Sequence, residues 1–380
     1  MRILFTFIGG SGHFRPLIPV ARAAQAAGHT VAIAGAGGRG PEIAAAGFTA
    51  FATSEPRKYT EAAQRRMVEI PDREADVRQL AEGFARRGAR RHAAAVLELA
   101  HAWKPDVLVR DEVDFGTAIA AESLAIPCAT VLVLATGGFL RKEVVAEPLH
   151  ELRSTYGLPP DPELTMLDRH LVLSPFPPSF RNPHFPLPAH TFLFRQAAAV
   201  SPVDATSRTP TVYFTLGTVN NTTDMFSRVL AELQDLPTDV VVTVGERVDP
   251  AAFGPLPDHV RIEQFVPQEV LLPQCDLVVS HGGSGSLMGA FAHGLPSVLI
   301  PLGADQPYNA QRCVELGTAQ VLDPVTLTPE EVRTTVSAVL ADGAYRRAAE
   351  RVREEINALP GPEQTIPLLE ALRGSALQRS

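Results

Sequence analysis

An α/β fold built from two parallel-sheet domains is predicted by three features of this chain. Its 380 residues exceed what one ordinary core fills and suit two domains of common size. Short β-branched apolar runs alternate with longer, alanine-rich amphipathic ones, which is the pattern of β/α units and a parallel sheet. A proline-dense stretch and a polar segment interrupt that alternation once, and it then resumes. Each half is therefore read as a Rossmann-like β/α/β domain, over residues 1–200 and 207–350, with helices over 351–380 packing back on the first.

In chain order, RILFTFI, HTVAIAG, DVLVRD and CATVLVLA read as strands of the first half. Between them PLIPVARAAQAAG and FGTAIAAESLAI read as helices, the former closed by Gly28 in the usual C-terminal position. The stretch SPFPPSFRNPHFPLP is too rich in proline for a helix or a central strand and is expected to be loop. After the polar segment AAAVSPVDATSRTP, the runs TVYFTLG, DVVVTVG, VRIEQFV, LVVSHGG and SVLIPLG read as strands of the second half. Beyond Pro324 the pattern is helical, broken at Pro360, Gly361 and Pro362 before a last short helix.

Composition narrows the function classes. With 45% hydrophobic and 20% charged residues the chain is globular. A net charge of -8 offers no general attraction to nucleic acid or anionic lipid. The opening apolar run is too short for a signal-peptide core or a membrane span, so a cytoplasmic protein is expected. Cys128, Cys275 and Cys313 are odd in number and lack metal-ligand spacing, which fits core packing in a reducing compartment. The arginine-rich stretch from 52 to 92, including FARRGARRH, reads as a solvated helical face or, alternatively, a site for an anionic acceptor.

The most informative segment is LVVSHGGSGSLMGAFAHGLPSVLIPL, a buried strand, a glycine-rich turn, a helix and another buried strand. Gly282, Gly283 and Gly285 let the backbone approach a ligand, and the helix N-terminus attracts an anion, so a phosphate or diphosphate is the expected guest. His281, Ser284 and Ser286 can add hydrogen bonds. The next strand ends in PLGADQPYNA, which brings further polar groups to the same edge.

With these motifs the sequence resembles the large family of nucleotide-sugar glycosyltransferases that includes plant UDP-glycosyltransferases and actinomycete enzymes decorating antibiotics, whose fold is called GT-B. The likeness runs through FVPQ (Phe265 to Gln268), HGGSGS and the Asp305–Gln306 pair. It implies that Phe265 stacks on the base and the Val266 backbone bonds its edge, with Gln268 completing that part of the donor site. His281, Gly283, Ser284, Gly285 and Ser286 would hold the diphosphate, Asp305 and Gln306 would read the sugar, and Gly217 with Thr218 would add a second contact. Family members using UDP-sugars commonly carry a glutamate for both ribose hydroxyls eight residues after the signature histidine. Here that position is Gly289, which favours a dTDP-sugar over a UDP-sugar.

In the first half, GGSGHFRP follows the first strand. It fails as a dinucleotide fingerprint, because Arg15 stands where the third glycine belongs and Gly35, Ala36 and Gly37 stand where an acid should meet a ribose. His13 in this turn can accept a proton at neutral pH, and the resemblance implies that it is the catalytic base, with Gly12 on the loop facing donor and acceptor. Asp111 at the end of DVLVRD is its implied partner, with Glu112 and Asp114 as neighbouring candidates. The expected reaction is an inverting transfer to a hydroxyl of a small hydrophobic acceptor, without a cofactor. No Asp-x-Asp motif occurs, so a divalent metal is not implied. A non-catalytic sugar-nucleotide binding protein and a nucleotide-sugar epimerase are the rival readings.

Overall fold

The computed structural model describes residues 1–56, 73–196, 209–217, 223–245 and 248–377. They form two all-parallel sheets. The first contains β1 (Arg2–Thr6), β2 (Thr30–Gly35), β3 (Thr49–Ala52), β4 (Val107–Asp111), β5 (Cys128–Val131), β6 (Val172–Ser174) and β7 (Thr191–Leu193), in the order β3-β2-β1-β4-β5-β6-β7. The second contains β8 (Thr211–Thr215), β9 (Asp239–Thr243), β10 (Val260–Glu263), β11 (Leu277–Ser280), β12 (Ser297–Leu299) and β13 (Ala319–Val321), in the order β10-β9-β8-β11-β12-β13.

Several strands stop before their apolar runs do, for reasons visible in the hydrogen bonds. In β1, Phe7 still donates to the Ala34 carbonyl, but the next amide, Ile8, turns to the Asp111 carboxylate. Leu132 is the last residue after β5 to donate to its neighbour strand, because the amides of Val133 and Leu134 go to Glu112 instead. The strands β3, β6, β7 and β13 were not anticipated. Each has only three or four residues, too few to show an alternation. The proline-dense stretch is loop apart from its first residue, Ser174, which ends β6, and a short 3-10 turn at Pro178–Phe180. Most of the polar segment after it lies outside the described residues, as does 57–72 of the arginine-rich stretch.

In both sheets the strand order reverses beside the first strand, between β1 and β4 and between β8 and β11. Ligands of open parallel sheets sit at such switch points, beyond the carboxyl ends of the strands. Ile3 to Thr6 pair with Val107 to Arg110, and Thr215 pairs with Ser280, so the two turns of interest leave their sheets side by side with their partners.

Each sheet has its own core, one around Phe5, Leu17 and Val109, the other around Phe214, Val242 and Val298. A third cluster joins the halves: Leu132, Ala135, Phe176 and Phe180 pack against Leu287, Phe291 and Ala310. Phe180 and Phe291 meet edge-on at 5.3 Å, and full burial of each such ring stabilises by about 1.5–3 kcal/mol. The final helix, Ile366–Leu377, returns to the first sheet, where Ile366 and Leu369 join its core. Among the described residues no helix is long and apolar enough to cross a membrane.

Candidate active site in the cleft

After β1 the chain turns through Gly9 and Gly10 into the short helix Ser11–Phe14, which carries His13 and Gly12. Gly9 has a φ of +113°, and a side chain there would start 2.8 Å from the His13 ring, so this position has to be glycine for the ring to lie where it does. His13 Nδ1 is 3.5 Å from Asp111 Oδ2 and has no other partner among the described residues. The ring stacks on Phe84 at 5.9 Å. Phe84 belongs to a π-helical stretch, Gln79–Gly88, that runs directly into the helix Ala89–Trp103.

Asp111 is fully buried and rigidly held: Oδ2 accepts from Ile8 N–H at 2.8 Å, and Oδ1 accepts from Val113 and Asp114 N–H at 2.7 and 3.0 Å. The neighbouring acids face elsewhere. Glu112 accepts from Val133 and Leu134, and its burial pushes the carboxyl pKa up despite Arg181. Asp114 caps the helix Phe115–Ser123 and bonds to His92, Thr6 and Thr117. Burial would raise its pKa, but His92 and the two hydroxyls outweigh this and hold it at about 2. Of the three candidates Asp111 is thus the one paired with His13. Burial pulls the His13 pKa down, yet Asp111, with Asp305 and Glu112, holds it above the ordinary histidine value.

Opposite lies the strand-turn-helix of the second half. Gly282, with φ of +78°, and Gly283 lead from His281 into the helix Ser284–Ala292. His281 is wedged between glycines: side-chain carbons at Gly217 and Gly283 would fall 2.6 and 2.5 Å from its ring. Burial pushes its pKa down to about 4, so the imidazole is neutral near pH 7 and can donate one N–H to an anion. The helix behind it carries no charged residue, and its first amides, those of Ser284, Gly285 and Ser286, are free of intrahelical partners by geometry.

Two residues differ from what the motif implied. The Ser284 hydroxyl is not turned to a diphosphate: it donates to Asp305 Oδ2 at 2.7 Å and accepts from Ala135 N–H of the first domain at 3.1 Å, leaving its backbone amide for a ligand. Gln306 directs its Oε1 at the amides of Leu302 and Gly303, at 2.7 and 3.2 Å, and so shapes the loop before Asp305. Asp305 also accepts from Asn309 at 2.8 Å, and Thr136 donates to Asn309 at 3.2 Å across the domain boundary. Burial raises the Asp305 pKa against these two hydrogen-bond donors. Asn309 was not singled out in the sequence; an asparagine four residues into a helix carries no motif.

Phe265 is 58% exposed, bordering an open groove of about 730 Å³ lined with Asp249, Pro250, Ala251, Glu263 and Gln264. Val266 packs on the core beneath. Gln268 begins the helix Gln268–Leu271, and its Oε1 lies 2.8 Å from where a side chain at Gly289 would start. The amide thus fills the space that a longer residue at 289 would need. Thr218 lies outside the described residues. No three His, Cys, Asp or Glu side chains gather into a possible metal site among the described residues.

Sequence and fold comparisons relate the chain to known proteins. Residues 227–372 match the family model for the C-terminal domain of erythromycin biosynthesis protein CIII-like proteins. The chain is 27% identical to the aclacinomycin-T 2-deoxy-L-fucose transferase of Streptomyces galilaeus, over 98% of this chain and 96% of that one. It is 29% identical to the tylactone mycaminosyltransferase of Streptomyces fradiae, over 100% of this chain and 94% of that one. The structure of the spinosyn rhamnosyltransferase SpnG complexed with thymidine diphosphate superposes with a TM-score of 0.79 at 25% identity, over 97% of this chain and 100% of that one. The two parallel-sheet domains match the fold of GT-B glycosyltransferase structures. The relatives and structural neighbours that the chain resembles along nearly its whole length are actinomycete natural-product glycosyltransferases.

Proposed function

We propose that this chain is an inverting glycosyltransferase that moves a sugar, a deoxysugar by our reading, from a dTDP- or UDP-sugar to a hydroxyl of a small hydrophobic natural product. It would act in the cytoplasm, with no cofactor or metal ion and with dTDP favoured. The observation that carries this reading is the 3.5 Å approach of His13 to the fully buried Asp111, with the charge of Asp305 from the other domain also acting to raise the His13 pKa. His13 takes the acceptor proton, the oxygen attacks the anomeric carbon, and the nucleotide diphosphate leaves from the opposite face. Asp111 holds the ring and stabilises the imidazolium that forms. The charge appearing on the diphosphate meets the amides at Ser284–Ser286, a helix terminus worth about half a positive charge, and the neutral His281.

An apolar acceptor is supported by the half-buried Phe84, which stacks on the His13 ring, and by Ile8, Phe139 and Leu140, which pack against the same apolar cluster as Phe84. The dTDP preference is supported by Gly289, which offers no carboxylate to chelate a 2′-hydroxyl and has the Gln268 amide packed in its place. SpnG was solved with thymidine diphosphate, in keeping with that preference. Calorimetric titration with dTDP and UDP, each with and without magnesium, tests the donor side. Tighter dTDP binding that ignores magnesium is the expected result; UDP binding more tightly, or binding that requires magnesium, would overturn it.

A further inference from the structure

Arg15 is the residue in the cleft that the donor motif does not account for. It opens the 3-10 turn Arg15–Leu17, two residues after His13, and so belongs to the first domain. Its guanidinium carbon nevertheless lies 5.9 Å from the centre of the Phe265 ring, in the second domain. Arg15 is exposed, and among the described residues it has no carboxylate partner to explain its position. Arg39, which reaches this turn from the segment after β2, is by contrast committed to Glu42 at 3.2 Å and Ser11 at 3.3 Å.

We infer that Arg15 is a second jaw for the nucleotide base, closing from the acceptor domain on the face opposite Phe265. The inference rests on Phe265 being the platform for that base. A planar guanidinium stacks on π-systems and adds a cation–π attraction. A base stacked between the two groups needs about 7 Å, two layers of about 3.5 Å each. The present separation of 5.9 Å is short of this by about 1 Å, which the flexible arginine stem supplies by lifting. Phe265 is 58% exposed with an open groove on its flank, so the ring is reachable without unfolding anything.

The arrangement also ties donor binding to the chemistry. Arg15 and His13 ride on the same short turn. A base gripped between the domains therefore draws the His13 turn toward the donor.

The test compares Arg15→Ala, Arg15→Lys and Phe265→Ala by calorimetry with two probes, dTDP and inorganic pyrophosphate. Arg15→Ala is expected to weaken dTDP about tenfold and to leave pyrophosphate unchanged. Lysine, which keeps the charge but not the plane, is expected to restore only part of the loss. Equal losses for both probes would place Arg15 on the phosphates and overturn the inference. Unchanged dTDP binding in Arg15→Ala, with a loss in Phe265→Ala, would overturn the jaw alone. Unchanged dTDP binding in both variants would overturn the base platform as well.

Discussion

His13 Nδ1 stands 3.5 Å from Asp111 Oδ2, at the long limit of a hydrogen bond, while Asp111 itself is fixed by three backbone amides. The acid is therefore the immobile member and the histidine the one that moves. Catalytic contacts of this kind often tighten when substrate arrives.

That relationship sets the pH response. The His13 pKa is raised, burial being outweighed by Asp111 and the further acids, and only the neutral ring can act as a base. Activity is expected to fall with decreasing pH, along a limb above the ordinary histidine value of about 6.5. Asp111→Asn removes the charge that holds the proton, so the limb should move to lower pH while the plateau drops. A limb that stays in place in the pH–rate profile of Asp111→Asn would mean another group titrates there.

Asp305 offers a test of sugar reading. Its carboxylate is gripped by Ser284 and Asn309 and lies at the start of the helix Gln306–Leu316. Asp305→Ala should weaken a dTDP-sugar about tenfold or more, since hydrogen bonds to a charged group are worth about 1.5–3 kcal/mol, and should weaken dTDP much less. Titration with both ligands decides it; equal losses would mean that Asp305 supports the loop and no more.

The base and phosphate segments were readable because each depends on glycine or on a short run at a strand end. GHFRP and HGGSGS announce backbone that must approach a ligand, and the buried strands beside them read as apolar runs. What the sequence hid came from elsewhere in the chain. Phe84 reaches His13 from a π-helical stretch seventy-one positions on, and Arg15 meets Phe265 only because two domains pack. The Ser284 hydroxyl is engaged in part for the same reason: besides donating to Asp305 of its own domain it accepts from Ala135 of the other.

The buried His92–Asp114 pair, at 2.7 Å, lies behind the candidate dyad and is expected to matter for stability. His92→Ala leaves a buried carboxylate short of its strongest partner, at a cost of about 3–5 kcal/mol, seen as a lower denaturation midpoint. The Asp114 pKa is lowered to about 2, so this stabilisation is present above the unfolded value near 3.8 and is lost as pH falls toward 2. An unchanged midpoint at neutral pH would contradict this account.

Gly289→Glu probes donor choice from the other direction. The new carboxylate must displace the Gln268 amide, whose Oε1 occupies its first carbon's surroundings at 2.8 Å; that amide is the end of a flexible side chain and can yield. Affinity for UDP relative to dTDP is expected to rise about tenfold, the worth of one charge-assisted hydrogen bond to a 2′-hydroxyl. An unaltered ratio would show that the ribose is read elsewhere.

The central claim, that His13 is the base of a sugar transfer, is tested most directly by His13→Ala, with turnover and dTDP affinity measured on the same preparation. Turnover should fall by about two to four powers of ten while the dTDP dissociation constant stays within about twofold. Normal turnover combined with weakened dTDP binding would place His13 in the donor site and contradict the claim.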